Sequence, residues 1–198
     1  PKQYDSIVPY IDIDIKGRAL YKNRLMMLDL IANNNWKRPI YFSGGAYDDE
    51  DFLWMKNYLQ LDGMTYKLVP IKTEMPKDAS PLEMGGIDTD KMYANVMKWD
   101  WGNSESLSIY HDPETRKNSI TYRSYLSRLM NQLILEGKKE KAKNIITLAM
   151  NKMPLEQFGY YSLLEPFAKG SYDVGENAKA QDLLSKLILK YKENLKYY

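Results

Sequence analysis

Few side chains in this sequence are equipped for chemistry. There is one histidine, His111, and there are no cysteines. A Ser/His/Asp triad would have to be assembled on His111, with Asp112 beside it in a proline-containing loop. No nucleophile motif accompanies the pair, so His111 reads as a solvent-facing loop residue. One histidine and no cysteine also exclude the usual nitrogen and sulfur ligand sets for zinc. No thiolate nucleophile, disulfide framework or thiolate metal site is available.

Other constellations fail on residue type. Ser43, Gly44 and Gly45 follow an apolar run, where phosphate loops occur. They lack the P-loop lysine and the GxGxxG spacing, and four carboxylates, Asp48 to Asp51, would repel a phosphate. Tyr41 occupies the first glycine place of a nucleophile elbow. Asp12 and Asp14 begin an apparent calcium loop, but Lys16 takes a ligand place and Asn23 stands where a bidentate glutamate is required. Asp100 lies between Trp99 and Trp101, a combination that can line a sugar site. An amphipathic hinge packed between the two parts of the chain is the simpler reading. The expectation is therefore no catalytic residue, no bound metal and no cofactor.

The composition agrees with a binding or structural role. The 28 basic and 26 acidic residues give a net charge of +2 and are interspersed, which argues against a nucleic-acid partner. No apolar run reaches the ~20 residues of a membrane span, so direct membrane insertion is not expected. The 17 tyrosines and 4 tryptophans point to an aromatic core and rim. The chain begins with Pro1, which leads us to expect a longer parent.

The elements that would position any site fall into two parts. Residues 7–16 alternate, with Ile11, Ile13 and Ile15 opposite Asp12 and Asp14, and predict a strand. Residues 20–34 place Leu25, Leu28, Ile31 and Ala32 on one helical stripe. Residues 39–43 predict a strand, 48–61 a helix closed by Asp62 and Gly63, and 64–71 another strand. Strand, helix and strand in this order predict a βαβ unit with a parallel pair. A loop over residues 73–86 follows, then a helix capped by Asp88 or Asp90 and reaching Trp99. The fold expected is α/β, a small parallel or mixed sheet, over residues 1–101. A linker over 102–117 leads to all-α hairpins over 118–198.

The second part contains a repeat. Residues 136–142 and 174–180 are alike at an offset of 38 residues, each with a glycine, Gly137 or Gly175, five places before an alanine, Ala142 or Ala180. Leu126, Leu129, Ala142, Ala149 and Pro154 fill the places of a tetratricopeptide-like repeat, which it resembles. The second copy keeps Leu164, Ala168, Ala180 and Leu184, carries Leu187 where a small residue is usual, and has Pro166 interrupting its first helix. Two hairpins rarely close a core by themselves, so the helical part is expected to lean on the α/β part.

A wider resemblance is carried by the run Asn–x–Trp–x–Arg–Pro–Ile–Tyr–Phe at residues 34–42, by residues 58–63 and 66–71, and by the Asn194–Leu195–Lys196–Tyr197–Tyr198 finish. The sequence resembles the soluble C-terminal region of a bacterial family of multi-spanning membrane proteins of unknown function, similar to protein O-mannosyltransferases. That resemblance implies an extracytoplasmic, periplasmic-side location, tethered through a membrane-spanning region. The catalytic carboxylate of such enzymes belongs to the membrane part, so none is carried over. The expected function is a non-catalytic accessory domain that binds an acceptor polypeptide, a glycan or the parent's own membrane domain. A structural or oligomerisation tail is the alternative, and a carboxylate-based glycoside hydrolase a third. By resemblance to tetratricopeptide repeats, the partner groove falls at Ser127, Asn131, Ile134, Glu165, Lys169 and Tyr172. Trp36 and Arg38 form an aromatic and basic pair, read first as a stacked, packed element and alternatively as a binding patch. Asp5, Ser6 and Ile7 match a short acidic–hydroxyl–aliphatic O-glycosylation pattern.

Overall fold

A computed structural model describes residues 7–15, 19–43, 52–74 and 83–196. Asp5, Ser6, Lys16, Gly44, Gly45, Asp48 to Asp51, Tyr197 and Tyr198, which entered several of the readings above, lie outside the described residues. The described residues form seven α-helices and a mixed four-stranded sheet. The chain divides into two compact units, residues 1–88 and 89–198.

The first unit holds α1 (Lys22–Asn33) and the strands β1 (Tyr41–Ser43), β2 (Leu59–Asp62), β3 (Thr65–Leu68) and β4 (Gly86–Ile87). The sheet order is β1-β3-β2-β4. β2 and β3 are an antiparallel hairpin, with Asp62 paired to Thr65 and Gly63 in the left-handed region (φ +67°) at the turn. A two-residue turn with glycine first suits the strand twist. Leu59, Leu61, Tyr66 and Leu68 alternate onto one buried face with Met55 and Met84, which is the period-two signature of a half-buried sheet.

Three expectations are corrected here. The residues expected as the end of a helix over 48–61 are a 3-10 turn, Phe52–Tyr58, followed by β2. β1 pairs with β3 antiparallel, not parallel, so there is no βαβ unit on that pair. The parallel pair is β2–β4, Gln60 with Gly86 and Leu61 with Ile87. Burial of Leu59 and Leu61 outweighs the helical start signals before them. The strand expected over 7–16 reduces to a single bridge, Ile7 to Ile71. Pro9 removes the next donor, although Ile11 and Ile13 stay half-buried and Asp12 and Asp14 exposed.

The second unit begins with α2 (Thr89–Val96), so the boundary lies after Asp88 and not after residue 101. Met92 and Val96 of α2 are buried. α3 (Pro113–Leu135) starts inside the expected linker, because Asp112 caps it and Pro113 stands at its first turn. α4 (Lys139–Lys152), the short α5 (Leu155–Phe158), α6 (Glu165–Asp173) and α7 (Asn177–Leu195) follow. α3 packs on α4, and α6 on α7. Pro166 does not interrupt a helix: it sits in the first turn of α6, where its missing N–H costs nothing.

The two connecting turns are built alike. Gly137 (φ +74°) follows α3, with Gly137 N–H bonded to the Ile134 carbonyl and Lys138 N–H to the Leu133 carbonyl. Gly175 (φ +87°) follows α6, with Gly175 N–H to Tyr172 and Glu176 N–H to Ser171. Both are Schellman caps. Leu126, Leu129, Ala142, Ala149, Leu164, Ala168 and Ala180 are buried; in the second copy Leu184 is only half-buried, and Leu187, which breaks the small-residue pattern, is buried instead.

Candidate functional site

The candidate site is a groove in the second unit, between α3 and the α6 region. Asn131, Ile134 and Leu135 line it from the end of α3; Leu163, Glu165, Pro166 and Lys169 line it from the start of α6 and the turn before it. Its volume is about 600 Å³, within the size range of ligand pockets. α6 comes close to α3 because Gly170 faces Met130, where a Cβ would stand 2.5 Å from the Met130 sulfur. Ile134, Leu135, Leu163 and Pro166 make the apolar part. Leu135 is 80% exposed. The rim is polar: Lys169 Nζ pairs with Asp173 at 2.8 Å, and the Asn131 amide is exposed.

Four of the six groove residues expected from sequence therefore share one concavity: Asn131, Ile134, Glu165 and Lys169. Ser127 and Tyr172 do not line it. The Ser127 hydroxyl is turned back onto its own helix and donates to the Ser124 carbonyl at 2.8 Å. Tyr172 is 41% exposed. Leu135, Leu163 and Pro166 were missed, because the repeat pattern marks one face of each first helix and says nothing of the 3-10 turn Tyr161–Leu164 before α6.

The groove rests on a scaffold with a buried cation. Arg123 on α3 is fully buried and donates from Nη2 to the Met153 carbonyl at 2.7 Å and from Nη1 to the Gly159 carbonyl. Burial pulls its pKa down to about 10, so it stays charged at neutral pH. At the other end of α3, Asp90 on α2 accepts from Lys138 (2.8 Å) and Lys141 (2.6 Å). These hydrogen bonds lower the Asp90 pKa to about 2. Glu136 accepts from Thr89 at 2.6 Å and pairs with Lys138 at 2.9 Å.

The remaining candidates have structural partners. His111 Nε2 is bonded to the Ser104 carbonyl at 2.9 Å, and its ring lies 4.5 Å from that of Phe158. Asp112 accepts from the Glu114 and Thr115 backbone N–H groups, and the Thr115 hydroxyl hydrogen bond is the main cause of its lowered pKa. Neither side chain engages the other. Trp99, Trp101 and Tyr122 form a triangle with centroid separations of 5.5 to 5.7 Å. Rings that close leave no gap for a sugar or cation between them. Asp100 accepts from the Gly102 backbone. Among the described residues, no group of three or more histidines, cysteines, aspartates or glutamates is placed to hold a metal ion.

In the first unit, Trp36 is 54% exposed, and Arg38 is exposed beside a second groove. No cation–π contact joins them among the described residues. The guanidinium over an indole belongs to Arg24, 5.4 Å from Trp54.

Fold and site together define a small mixed-sheet unit followed by a helical unit that carries an apolar-floored groove. Residues 1–91 match the family model described as TMEM260-associated domain 2. That match aligns the sheet unit with a domain associated with a membrane-protein family. No curated protein and no solved structure matches the chain. No helix among the described residues is long and apolar enough to cross a membrane.

Proposed function

We propose that this chain is a non-catalytic accessory domain of a bacterial membrane glycosyltransferase-like protein, and that its helical unit binds polypeptide. In this reading the α3–α4 and α6–α7 pairs are tetratricopeptide-like hairpins, supported by the two matching Schellman turns at the 38-residue offset. The parent's membrane part carries out transfer. This chain stands on the extracytoplasmic side and holds an acceptor or a partner subunit.

The observation that carries the reading is the groove of about 600 Å³ that brings Asn131, Ile134, Glu165 and Lys169 together. An apolar floor with an amide and charges of both signs on the rim suits an extended peptide. Apolar side chains enter the floor, and the Asn131 amide offers a donor and an acceptor to the peptide backbone. Glycan acceptors fit less well, since the floor side chains are aliphatic and the Trp99, Trp101 and Tyr122 rings pack against one another in tilted and edge-to-face contacts.

The test is binding of unfolded acceptor polypeptides to the chain, followed by fluorescence anisotropy. Asn131→Ala and Lys169→Ala should each weaken binding several-fold, on the order of 1 kcal/mol per lost hydrogen bond. If neither substitution moves the affinity, the groove is not the binding site.

A further inference from the structure

The first unit presents a surface that the groove reading leaves unused. α1 buries none of its twelve residues. Tyr21, Leu25, Met26, Leu30 and Trp36 are between 54% and 68% exposed. Scattered exposed apolar residues are ordinary, but several bulky ones in one short stretch call for a cover. Met26 and Leu30 of α1 share a groove of about 540 Å³ with Arg38 and Tyr41, so helix and following segment form one surface.

Two further observations say what covers it. The charge of this stretch is one-sided: residues 19–43 contain Lys22, Arg24, Lys37 and Arg38 against the single acid Asp29. Asp29 keeps its negative charge and accepts a hydrogen bond from the Asn33 amide at 2.9 Å. Lys67 of β3 adds a cation over the Tyr41 ring, 5.9 Å from its centroid. Among the described residues, Asp62 accepts from the Tyr41 hydroxyl at 3.2 Å. The other observation is backbone strain. Asn35 and Trp36 are consecutive left-handed residues (φ +48° and +57°). That conformation is costly for a bulky side chain, and here it leaves the indole half in solvent. Strain spent on exposing a tryptophan points to a surface that receives it.

We propose that the face made by α1 and residues 36–41 rests on an anionic phospholipid surface. The tryptophan and tyrosine rings sit at headgroup depth, where such amphipathic rings are favoured. Leu25, Met26 and Leu30 bury in the acyl boundary. Lys22, Lys37 and Arg38 meet lipid phosphates. A fluid layer accepts separate protruding side chains without preformed cavities, and its charge complements the excess of cations. The chain lies on the surface and does not span it, consistent with the absence of a spanning helix among the described residues. This inference is independent of the peptide groove, which belongs to the other unit.

The experiment is co-sedimentation of the 198-residue chain with phosphatidylcholine vesicles, with and without phosphatidylglycerol. The expected result is binding to the anionic vesicles alone, reduced by salt and accompanied by a blue shift of tryptophan emission. The double variant Lys37→Glu/Arg38→Glu, checked for an unchanged thermal transition, should bind at least ~30-fold more weakly, since each basic residue lost near the surface removes about a fivefold factor and the added carboxylates are repelled. Trp36→Ala should abolish the blue shift. Asn131→Ala should leave vesicle binding as it is. Failure to pellet with anionic vesicles, equal pelleting with neutral ones, or no loss in the charge-reversal variant overturns the proposal. Sedimentation only after adding a protein extract would mean a protein surface covers this face, and overturns it equally.

Discussion

Arg123 and Met153 are joined across the second unit by a 2.7 Å hydrogen bond from the buried guanidinium to a main-chain carbonyl. The same side chain also holds the Gly159 carbonyl. These two carbonyls flank α5, so one arginine fixes the passage from the first helix pair to the second. Among the described residues no carboxylate pairs with it; the cation is offset by backbone dipoles. Arg123→Met fills similar volume but leaves two inward carbonyls unsatisfied. It should cost about 3 kcal/mol of unit stability, the loss of charge-assisted bonds with buried acceptors left behind. Arg123→Lys restores the charge without the fork and should recover less than half. Chemical denaturation of the three proteins checks this; equal stability of Arg123→Met and the parent would remove the clamp.

Asp90 gives an acid-dependent test of how α2 is held. Its carboxylate accepts from Lys138 and Lys141, which takes its pKa from 3.8 to about 2. A carboxyl group with a depressed folded pKa stabilises the fold above its unfolded pKa. That contribution fades as pH falls through the folded value. The difference in melting temperature between the parent and Asp90→Asn should therefore be full at neutral pH, shrink below about pH 4 and vanish near pH 2. A difference that stays constant across this window would show that another group controls α2.

Gly85 tests the sheet. It has φ +76°, and a Cβ there would lie 2.8 Å from the Leu59 carbonyl oxygen. Both the backbone conformation and the space require glycine. Gly85→Ala should destabilise the first unit by about 2 kcal/mol or more and leave the melting of the second unit unchanged.

Trp36 combines the opposite signs. Because its left-handed conformation is strained in the parent, Trp36→Gly should raise first-unit stability by about 1 kcal/mol. The same change should lower affinity for anionic vesicles. Gain of stability with loss of binding is the pattern of a residue retained for contact. A loss of stability would instead show that the indole packs.

How far the sequence revealed this architecture depended on the kind of signal. The helical unit was legible because Gly137 and Gly175 end helices in the same way, and because Ala142, Ala149 and Ala180 recur at small core places. α1 was legible from its spacing. The sheet was misread for an identifiable reason. Asp62–Gly63 can end a helix or turn a hairpin, and the Leu59 and Leu61 alternation that decides between them spans only four residues. The start of α3 was missed because Asp112 and Pro113 were weighed as loop residues and not as a cap. Asn131, Ile134, Glu165 and Lys169, expected together from the repeat pattern, line one concavity. Arg123 left no trace, since nothing in local sequence separates a buried arginine from a solvated one.

Leu135 offers the sharpest separation of binding from folding at the groove. It ends α3, lines the floor beside Ile134 and is 80% exposed. A side chain that folding leaves in water contributes little burial to the folded state. Leu135→Ser should therefore leave the thermal transition of the helical unit within experimental error. If polypeptide covers the floor, the same substitution removes most of an apolar contact that forms only in the complex. Burying a leucine contributes about 2 kcal/mol, and incomplete coverage leaves an expected loss of roughly tenfold in affinity. Ile134→Ser, by contrast, touches a half-buried residue and should lower both stability and binding. Titration of one labelled peptide against the two variants reads both effects. A Leu135→Ser chain that folds as before and binds as before would place the peptide, if it binds at all, away from the α3–α6 groove.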